Sequence, residues 1–485
     1  MAAKSSANWP VTDHFQEAMR GVLKETCALI LLAALVPTFS GCGTIPDVHA
    51  LLHAKDPYLE NSDFVGPRGP LTKEQGQRII ARLQEHQKTP SDILQRHLAF
   101  EQALSDIPLV VDNKVTLLEN GAATYRAMLA AIRDAHDSIN IAMYTFSDGS
   151  VGQMFADALI ERQLHGVQVN LMFDSIGSLA TPASYFDRLR QNGIAVLQYR
   201  PVNPFETTLQ WSFSHRNHRK MLIVDGRIAF TGGINISEVY ASGLGSLPGR
   251  SRQGSTPQYW RDTDVELEGP VVAEFQRLFI SEWSYQKGPP LSRRNYFPRL
   301  EAQGNQIIRV IASVPERFSL IYVDIISAIV NSETNIYITD AYFAPDRQML
   351  HALENAARRG VDVRLLLPSQ SDEPMIVSAE RSHYQALLKS GVKIYEWQGE
   401  MLHAKTVTID GVWSTVGTSN LDWWSIARDN EVNAIILSHS FGDEMDRMFR
   451  SDMENSRQID LDQWKRRGLC ERLEETAARM VEPLL

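Results

Sequence analysis

Short apolar runs alternate with amphipathic stretches along most of the chain, and they come in two series. In the first, Ile139-Asn140-Ile141-Ala142-Met143, Val167 to Phe173, Ile194-Ala195-Val196 and Met221-Leu222-Ile223-Val224 read as strands. Met221 to Val224 is apolar on both faces, as a buried central strand is. The second series keeps the order, with Val361 to Leu367, Val392-Lys393-Ile394 and Thr406-Val407-Thr408-Ile409. Ala131 to Asp148 aligns with Ala328 to Asp346, His165 to Phe173 with Arg359 to Leu367, and Asn192 to Val196 with Ser390 to Ile394. The glycines at the helix-to-strand turns suit C-caps. A helix–strand alternation repeated in this way predicts an α/β protein of two tandem α/β/α sandwich domains.

The ends of the chain break the pattern. Ala28 to Phe39 is its most apolar run, shorter than the ~20 residues a membrane span needs and the right length for a signal-peptide core. Arg20 and Lys24 precede it, Met19 offers an alternative start, and Ser40-Gly41-Cys42 follows. The arrangement resembles a bacterial lipoprotein signal with Cys42 as the lipid-bearing residue, although Phe39 stands where that pattern prefers Leu. A buried or interfacial helix is the other reading. Gly66-Pro67-Arg68-Gly69-Pro70 interrupts the chain, Thr72 to His86 has helical spacing, and Thr89-Pro90-Ser91-Asp92 is a helix start. The expected organisation is a signal or anchor over 1–42, a linker and helical appendage over 43–107, repeat domains over 108–287 and 299–450, and a charged helical tail over 451–485. The appendage is expected on the first repeat or against the membrane. Gln286 to Pro298 reads as the linker between the repeats.

Composition adds a few limits. The 44% hydrophobic content describes an ordered globular chain with ample core. A net charge of −10 disfavours a general nucleic-acid binder, without excluding a local basic cleft. Cys27, Cys42 and Cys470 make neither a disulfide framework nor a metal-ligand cluster.

The chemistry sits where the two series end. His218-x-Lys220-x4-Asp225 is followed by Gly232 and Asn235, and His403-x-Lys405-x4-Asp410 by Gly417 and Asn420. An imidazole and an ammonium two residues apart point to one side of an extended chain. The Lys neutralises phosphate oxygens, while the His attacks phosphorus or carries a proton. Two such half-sites facing each other supply a nucleophile, a general acid and a cationic cradle. Arg428 to Val432 aligns with Arg261 to Val265, which makes Glu431 and Asp264 the candidate carboxylates that orient the rings. Glu431 lies 28 residues after His403 and Asp264 lies 46 after His218. The first repeat therefore carries an inserted loop over Ser242 to Gln258, either solvated or, through Arg250 and Arg252, in contact with anionic headgroups. Asp225 and Asp410 end their strands, a position that suits holding the adjoining loop. His215 is placed at the cleft mouth or simply on the exposed surface, and Trp423-Trp424 as a pocket wall or as ordinary core.

The paired H-x-K-x4-D motifs resemble those of the phospholipase D superfamily. His215 to Lys220, Thr231 to Asn235, Ile338 to Asp346 and Met401 to Lys405 resemble bacterial cardiolipin synthases, over roughly residues 108 to 450. The resemblance implies two phospholipase D-like domains related by a pseudo-twofold axis. It implies a catalytic set of His218, Lys220, Asp225, His403, Lys405 and Asp410, with Asn235 and Asn420 on the phosphate and no metal or other cofactor. His218 is then the nucleophile and His403 the acid and base, an assignment that motif symmetry leaves reversible. The implied reaction is phosphodiester transfer through a phosphohistidine, joining two phosphatidylglycerols into cardiolipin and glycerol at a membrane surface of the bacterial envelope. Hydrolysis to phosphatidic acid and nuclease action use the same residues, and nucleic acid is the less expected substrate.

Overall fold

The computed structural model describes residues 47–48, 64–85, 92–105, 107–201, 215–241, 259–315, 317 and 319–482. Cys42 with its apolar run, Thr89 to Ser91 and the Ser242 to Gln258 insertion lie outside the described residues. Among those described, no helix is long and apolar enough to cross a membrane.

The strands, in chain order, are β1 (Phe64–Gly66), β2 (Gly69–Pro70), β3 (Leu109–Glu119), β4 (Ser138–Met143), β5 (Gln168–Asp174), β6 (Ala195–Tyr199), β7 (Met221–Val224), β8 (Ile228–Gly232) and β9 (Thr263–Glu268). They continue as β10 (Gln306–Ser313), β11 (Asn335–Thr339), β12 (Asp362–Pro368), β13 (Lys393–Trp397), β14 (Thr406–Ile409), β15 (Trp413–Gly417), β16 (Glu431–Leu437) and β17 (Ser456–Gln458). The first repeat pairs its strands in the order β3-β9-β8-β7-β4-β5-β6. The second pairs them as β10-β16-β15-β14-β11-β12-β13, the same order, and antiparallel pairing of β3 with β10 joins the two sheets. β4, β5 and β6 are parallel, as are β11, β12 and β13, each linked by helical crossovers.

The period-two pattern splits each strand between two cores. Leu222 and Val224 pack with the first repeat's own helices, whereas Met221 and Ile223 face a shared core with Phe275, Val432, Ile436 and Met445. Helices Val272–Tyr285 and His439–Glu454 fill that shared layer.

Two expectations need correction. The appendage packs on the second repeat. Leu94 and Leu98 of helix Asp92–Leu104 join the core of Ile325, Ile329, Ile435 and Leu437. From the same helix, Glu101 accepts from Arg309 Nη1 at 2.7 Å and from Trp413 Nε1 at 2.7 Å. The Gly66 to Pro70 break is the turn of the β1–β2 ribbon, whose first strand extends the sheet along β3. The tail, in turn, is not one helix. After Glu454 it adds β17 to the edge of β13, then forms helices Leu461–Lys465 and Leu469–Val481, started by Asp460 and Gly468.

Asp225 and Asp410 stand at the far end of their strands from the histidines, about seven extended residues away at ~3.3 Å each. Asp225 accepts the N–H groups of His136, Asp137 and Ser138 at 2.8–2.9 Å, where the chain enters β4. Asp410 does the same for Glu333, Thr334 and Asn335 before β11, and also accepts from His97 Nε2 at 3.1 Å. Their placement with the reacting groups is therefore corrected: both carboxylates tie strand ends together. Asp410→Ala strands these buried donors and is expected to cost about 3 kcal/mol of stability. Urea unfolding would register that loss, while activity per folded molecule stays near wild type.

Candidate active site

The two motif segments enter their strands side by side across the repeat boundary. Asn217 bridges Asn430, and Arg261 bridges Leu402. His218 N–H donates to Asn430 O at 3.0 Å, and His403 N–H to Arg261 O at 2.7 Å. Each histidine is thus hydrogen-bonded through its backbone to the residue just before a carboxylate of the opposite repeat. His218 Nδ1 donates to Glu431 Oε1 at 2.9 Å. His403 Nδ1 lies 2.7 Å from Asp262 Oδ2 and 3.2 Å from Tyr240 Oη. Both Nε2 atoms are left for the cavity between the repeats.

Asp264 does not meet His403. The sheet register pairs Gly232 with Asp264 and Gly417 with Asn433, so Asp264 is the counterpart of Asn433, and Asp262 that of Glu431. Asp264 Oδ1 accepts from Ile234 N at 3.0 Å, and Asn433 Oδ1 from Thr418 N and Ser419 N at 3.2 and 3.3 Å. These two side chains hold the turn after the strand. A Cβ at Gly232 or Gly417 would fall 2.1–2.2 Å from them, which is why each turn begins with Gly.

Lys220 Nζ donates to His218 O at 2.8 Å and lies 5.4 Å from the Tyr144 ring centroid. Lys405 repeats this with His403 O and with Tyr342 at 5.6 Å. The same tyrosines meet the His218 and His403 rings edge-on at 4.9 and 5.9 Å. Asn235 and Asn420 line the cavity, Asn235 anchored by accepting from Thr145 N at 2.9 Å. The cavity holds about 560 Å³, within the usual size of ligand pockets. Trp260 and Trp424 form part of its wall and Asp372, Glu373, Asp422 and Asp429 add carboxylates; neither His215 nor Trp423 is among its lining residues.

Burial governs the charges. It pushes Lys220 down to about 7 and lowers Lys405 as well. It also lowers His218, and His403 much further, so both rings are neutral near pH 7. The two carboxylates diverge. Burial lifts Asp262 to about 7, whereas Glu431 is held below the usual range despite its burial by His218, Lys220 and the Thr418 hydroxyl. Thr418 donates to Glu431 Oε2. Its counterpart in the first repeat is Gly233, where a Cβ would meet Asp262 Oδ1 at 2.1 Å, so Asp262 has no such donor. Glu431 therefore keeps a proton on His218 Nδ1 and a lone pair on Nε2, while the Asp262–His403 pair retains a proton it can release at Nε2.

Sequence reasoning missed Asp262, Thr418, Tyr240 and Trp260. The sequence alone does not separate Asp262 from Asp264; once the register pairs Gly232 with Asp264 and Gly417 with Asn433, counting back two residues gives Asp262 and Glu431. Tyr144 and Tyr342 already stood at equivalent ends of the aligned strands.

The profile of the family described as "Cardiolipin synthase, PLD-like domain" matches residues 128–242 and 325–453. A protein named cardiolipin synthase from Alkalihalophilus pseudofirmus is 33% identical over 382 residues, which cover 78% of this chain and 73% of that one. Cardiolipin synthase A of Pseudomonas putida is 32% identical over 388 residues, covering 79% and 77%. In fold, the chain is similar to a phosphatidylserine synthase of Haemophilus influenzae, with a TM-score of 0.60 at 14% identity over 80% of this chain and 100% of that one. With two repeats of one sheet order and this extent of match, the chain belongs to the cardiolipin synthase family of phospholipase D-like proteins.

Proposed function

We propose that this chain transfers a phosphatidyl group between phospholipids, joining two phosphatidylglycerols into cardiolipin with release of glycerol at a membrane surface of the bacterial envelope. The observation that carries the reading is the pair of histidines facing one cavity, each ring held by a carboxylate of the opposite repeat. His218 Nε2 attacks phosphorus, the bond to the headgroup glycerol breaks, and His403 protonates the departing oxygen. His403 then takes the proton from a hydroxyl of the second phosphatidylglycerol. That oxygen attacks phosphorus, the P–N bond breaks, and His218 returns neutral. Lys220 and Lys405, buried behind the histidines with each ammonium on the carbonyl of its own motif histidine, take the non-bridging oxygens together with Asn235 and Asn420. The ionised Glu431 offsets the positive charge that grows on the His218 ring. Burial lifts Asp422 to about 7 and Asp429 well above the usual carboxylate range, so the cavity wall presents polar carboxyl groups suited to the hydroxyls of a polyol headgroup.

Incubation of the purified protein with phosphatidylglycerol in detergent, read by mass spectrometry, tests this. Cardiolipin and free glycerol are expected. Phosphatidic acid alone would make the protein a hydrolase, and no lipid product would end the reading.

The pH profile follows from the site. His218 is already neutral below its ordinary range, so the acid limb lies low. Lys220 loses its charge, and Asp262 its proton, as pH rises through about 7. Hence kcat/KM is expected to fall above about pH 7. The kcat limb lies at higher pH, because bound phosphate favours the charged lysine. A kcat/KM that instead rises from pH 7 to 9 would contradict these protonation states.

A further inference from the structure

Helix Leu469–Val481 carries two unlike faces. Its inner face rests on helix Pro374–Ser390: Glu474 Oε1 accepts from Ser378 Oγ at 2.9 Å, and Ala478 and Val481 are buried. Glu475 accepts twice from Arg467, at 2.8 and 2.5 Å, and Glu471 turns back to the Gly468 N–H at 3.0 Å. Glu482, just beyond the helix, meets His383 Nε2 at 2.7 Å. Every carboxylate of this segment is thus engaged on the protein side or at the helix's own start.

The outer face is the reverse. Leu469, Leu473 and Met480 are 76%, 70% and 75% exposed and, at i, i+4 and i+11, form one stripe. Arg472 and Arg479 flank one edge of it, and just before the helix Arg466 is exposed and Lys465 pairs with the exposed Asp462 at 3.0 Å. An ordinary solvated face would mix both signs of charge. Apart from the Thr476 hydroxyl, which donates to Arg472 O, this one offers apolar and cationic groups, the composition of a helix that lies in an anionic lipid interface.

Its placement matters as much. Ser378 meets Glu474 and His383 meets Glu482, so the two helices run parallel. Leu469 and Leu473 therefore sit level with the first turn of Pro374–Ser390. There Glu373 and Ile376 line the catalytic cavity, and Met375 is exposed. The stripe thus begins at the same end of helix Pro374–Ser390 that lines the cavity.

We propose that the outer face of Leu469–Val481 docks the protein onto an anionic bilayer and holds the cavity mouth at headgroup level. The proposal rests on the phospholipid-transfer reading and gives it a surface. A second copy of the chain fits the face less well. Pairing two such stripes would bring Arg472 and Arg479 of both copies together, with no carboxylate on the face to answer them.

Co-sedimentation of the full chain with vesicles tests it, using phosphatidylcholine alone or mixed with phosphatidylglycerol. Binding to the mixed vesicles is expected to exceed binding to phosphatidylcholine and to weaken with salt. Leu473→Ser with Met480→Ser, and separately Arg472→Glu with Arg479→Glu, are each expected to reduce it by about tenfold or more. Turnover of detergent-dispersed phosphatidylglycerol stays at the wild-type level in both pairs. Arg472 is half-buried and donates to Lys465 O, whereas Arg479 is exposed, so Arg479→Glu alone, expected to lower binding severalfold, remains informative if either pair misfolds. Wild-type binding by both double variants would overturn the proposal. So would unchanged binding accompanied by conversion of a dimer to a monomer in sedimentation, which would assign the stripe to self-association. Vesicle binding lost in the variants, from a protein that makes no lipid product, would uphold the docking face and remove only the functional reading.

Discussion

His218→Ala is expected to lower turnover of phosphatidylglycerol by at least about 10⁴-fold, because no other lining nitrogen is presented to phosphorus with its far side held by an ionised carboxylate. His403→Ala should also be severe on the natural substrate, by about 10² to 10⁴-fold, since a glycerol alkoxide leaves poorly without a proton. The two variants part on an activated phosphodiester with a phenolate leaving group. That group needs no proton, so His403→Ala should recover its first half-reaction and release a burst of phenolate, while His218→Ala stays silent. Stopped-flow absorbance reads the difference. A burst from His218→Ala and silence from His403→Ala would reverse the two roles.

The carboxylates give the second large effect. Glu431→Gln and Asp262→Asn are expected to lower kcat by about 10² to 10⁴-fold with KM little changed, as loss of an orienting carboxylate does in a catalytic triad. Glu431→Gln should be the more severe. It removes the charge that offsets the growing imidazolium, and it places an amide beside the Thr418 hydroxyl. Asp264→Asn separates the geometry from the sequence alignment. Asp264 accepts from the Ile234 N–H, and burial and the neighbouring Asp262 already push its carboxyl well up. An amide oxygen can take over that bond, so kcat should hold within a few-fold. If Asp264→Asn were as damaging as Asp262→Asn in steady-state kinetics on folded protein, the assignment of Asp262 to His403 would be wrong.

Much of this fold was legible because its two cores impose period-two burial on each strand. Met221 to Val224 and Thr406 to Ile409 announced themselves as central strands, and the repeat made the sheet order of one half a guide to the other. The motif histidines and lysines were legible for the same reason, since both series end on them. What could not be read lay between elements. Asp262 and Asp264 are two residues apart on one strand, and only the pairing of Gly232 with Asp264 tells which reaches His403. The crossing of helix Asp92–Leu104 to the second repeat depends on the pairing of β3 with β10, a contact between segments far apart in the chain. The tail reads as one helix by composition. Asp460 and Gly468 start new helices within it, and Trp464 packs on Tyr384 with ring centroids 5.0 Å apart.

The central claim is that phosphodiester transfer passes through a covalent bond to His218. It is tested most directly in the His403→Ala protein, where loss of the proton acceptor for the incoming alcohol should let the intermediate accumulate. The protein is mixed with an activated phosphatidyl diester, quenched in base to preserve phosphohistidine and digested, and its peptides are read by mass spectrometry. The account predicts a phosphatidyl adduct on the peptide carrying His218, absent when His218 is also replaced. Release of the phenolate without any adduct, or an adduct on another residue, would contradict it.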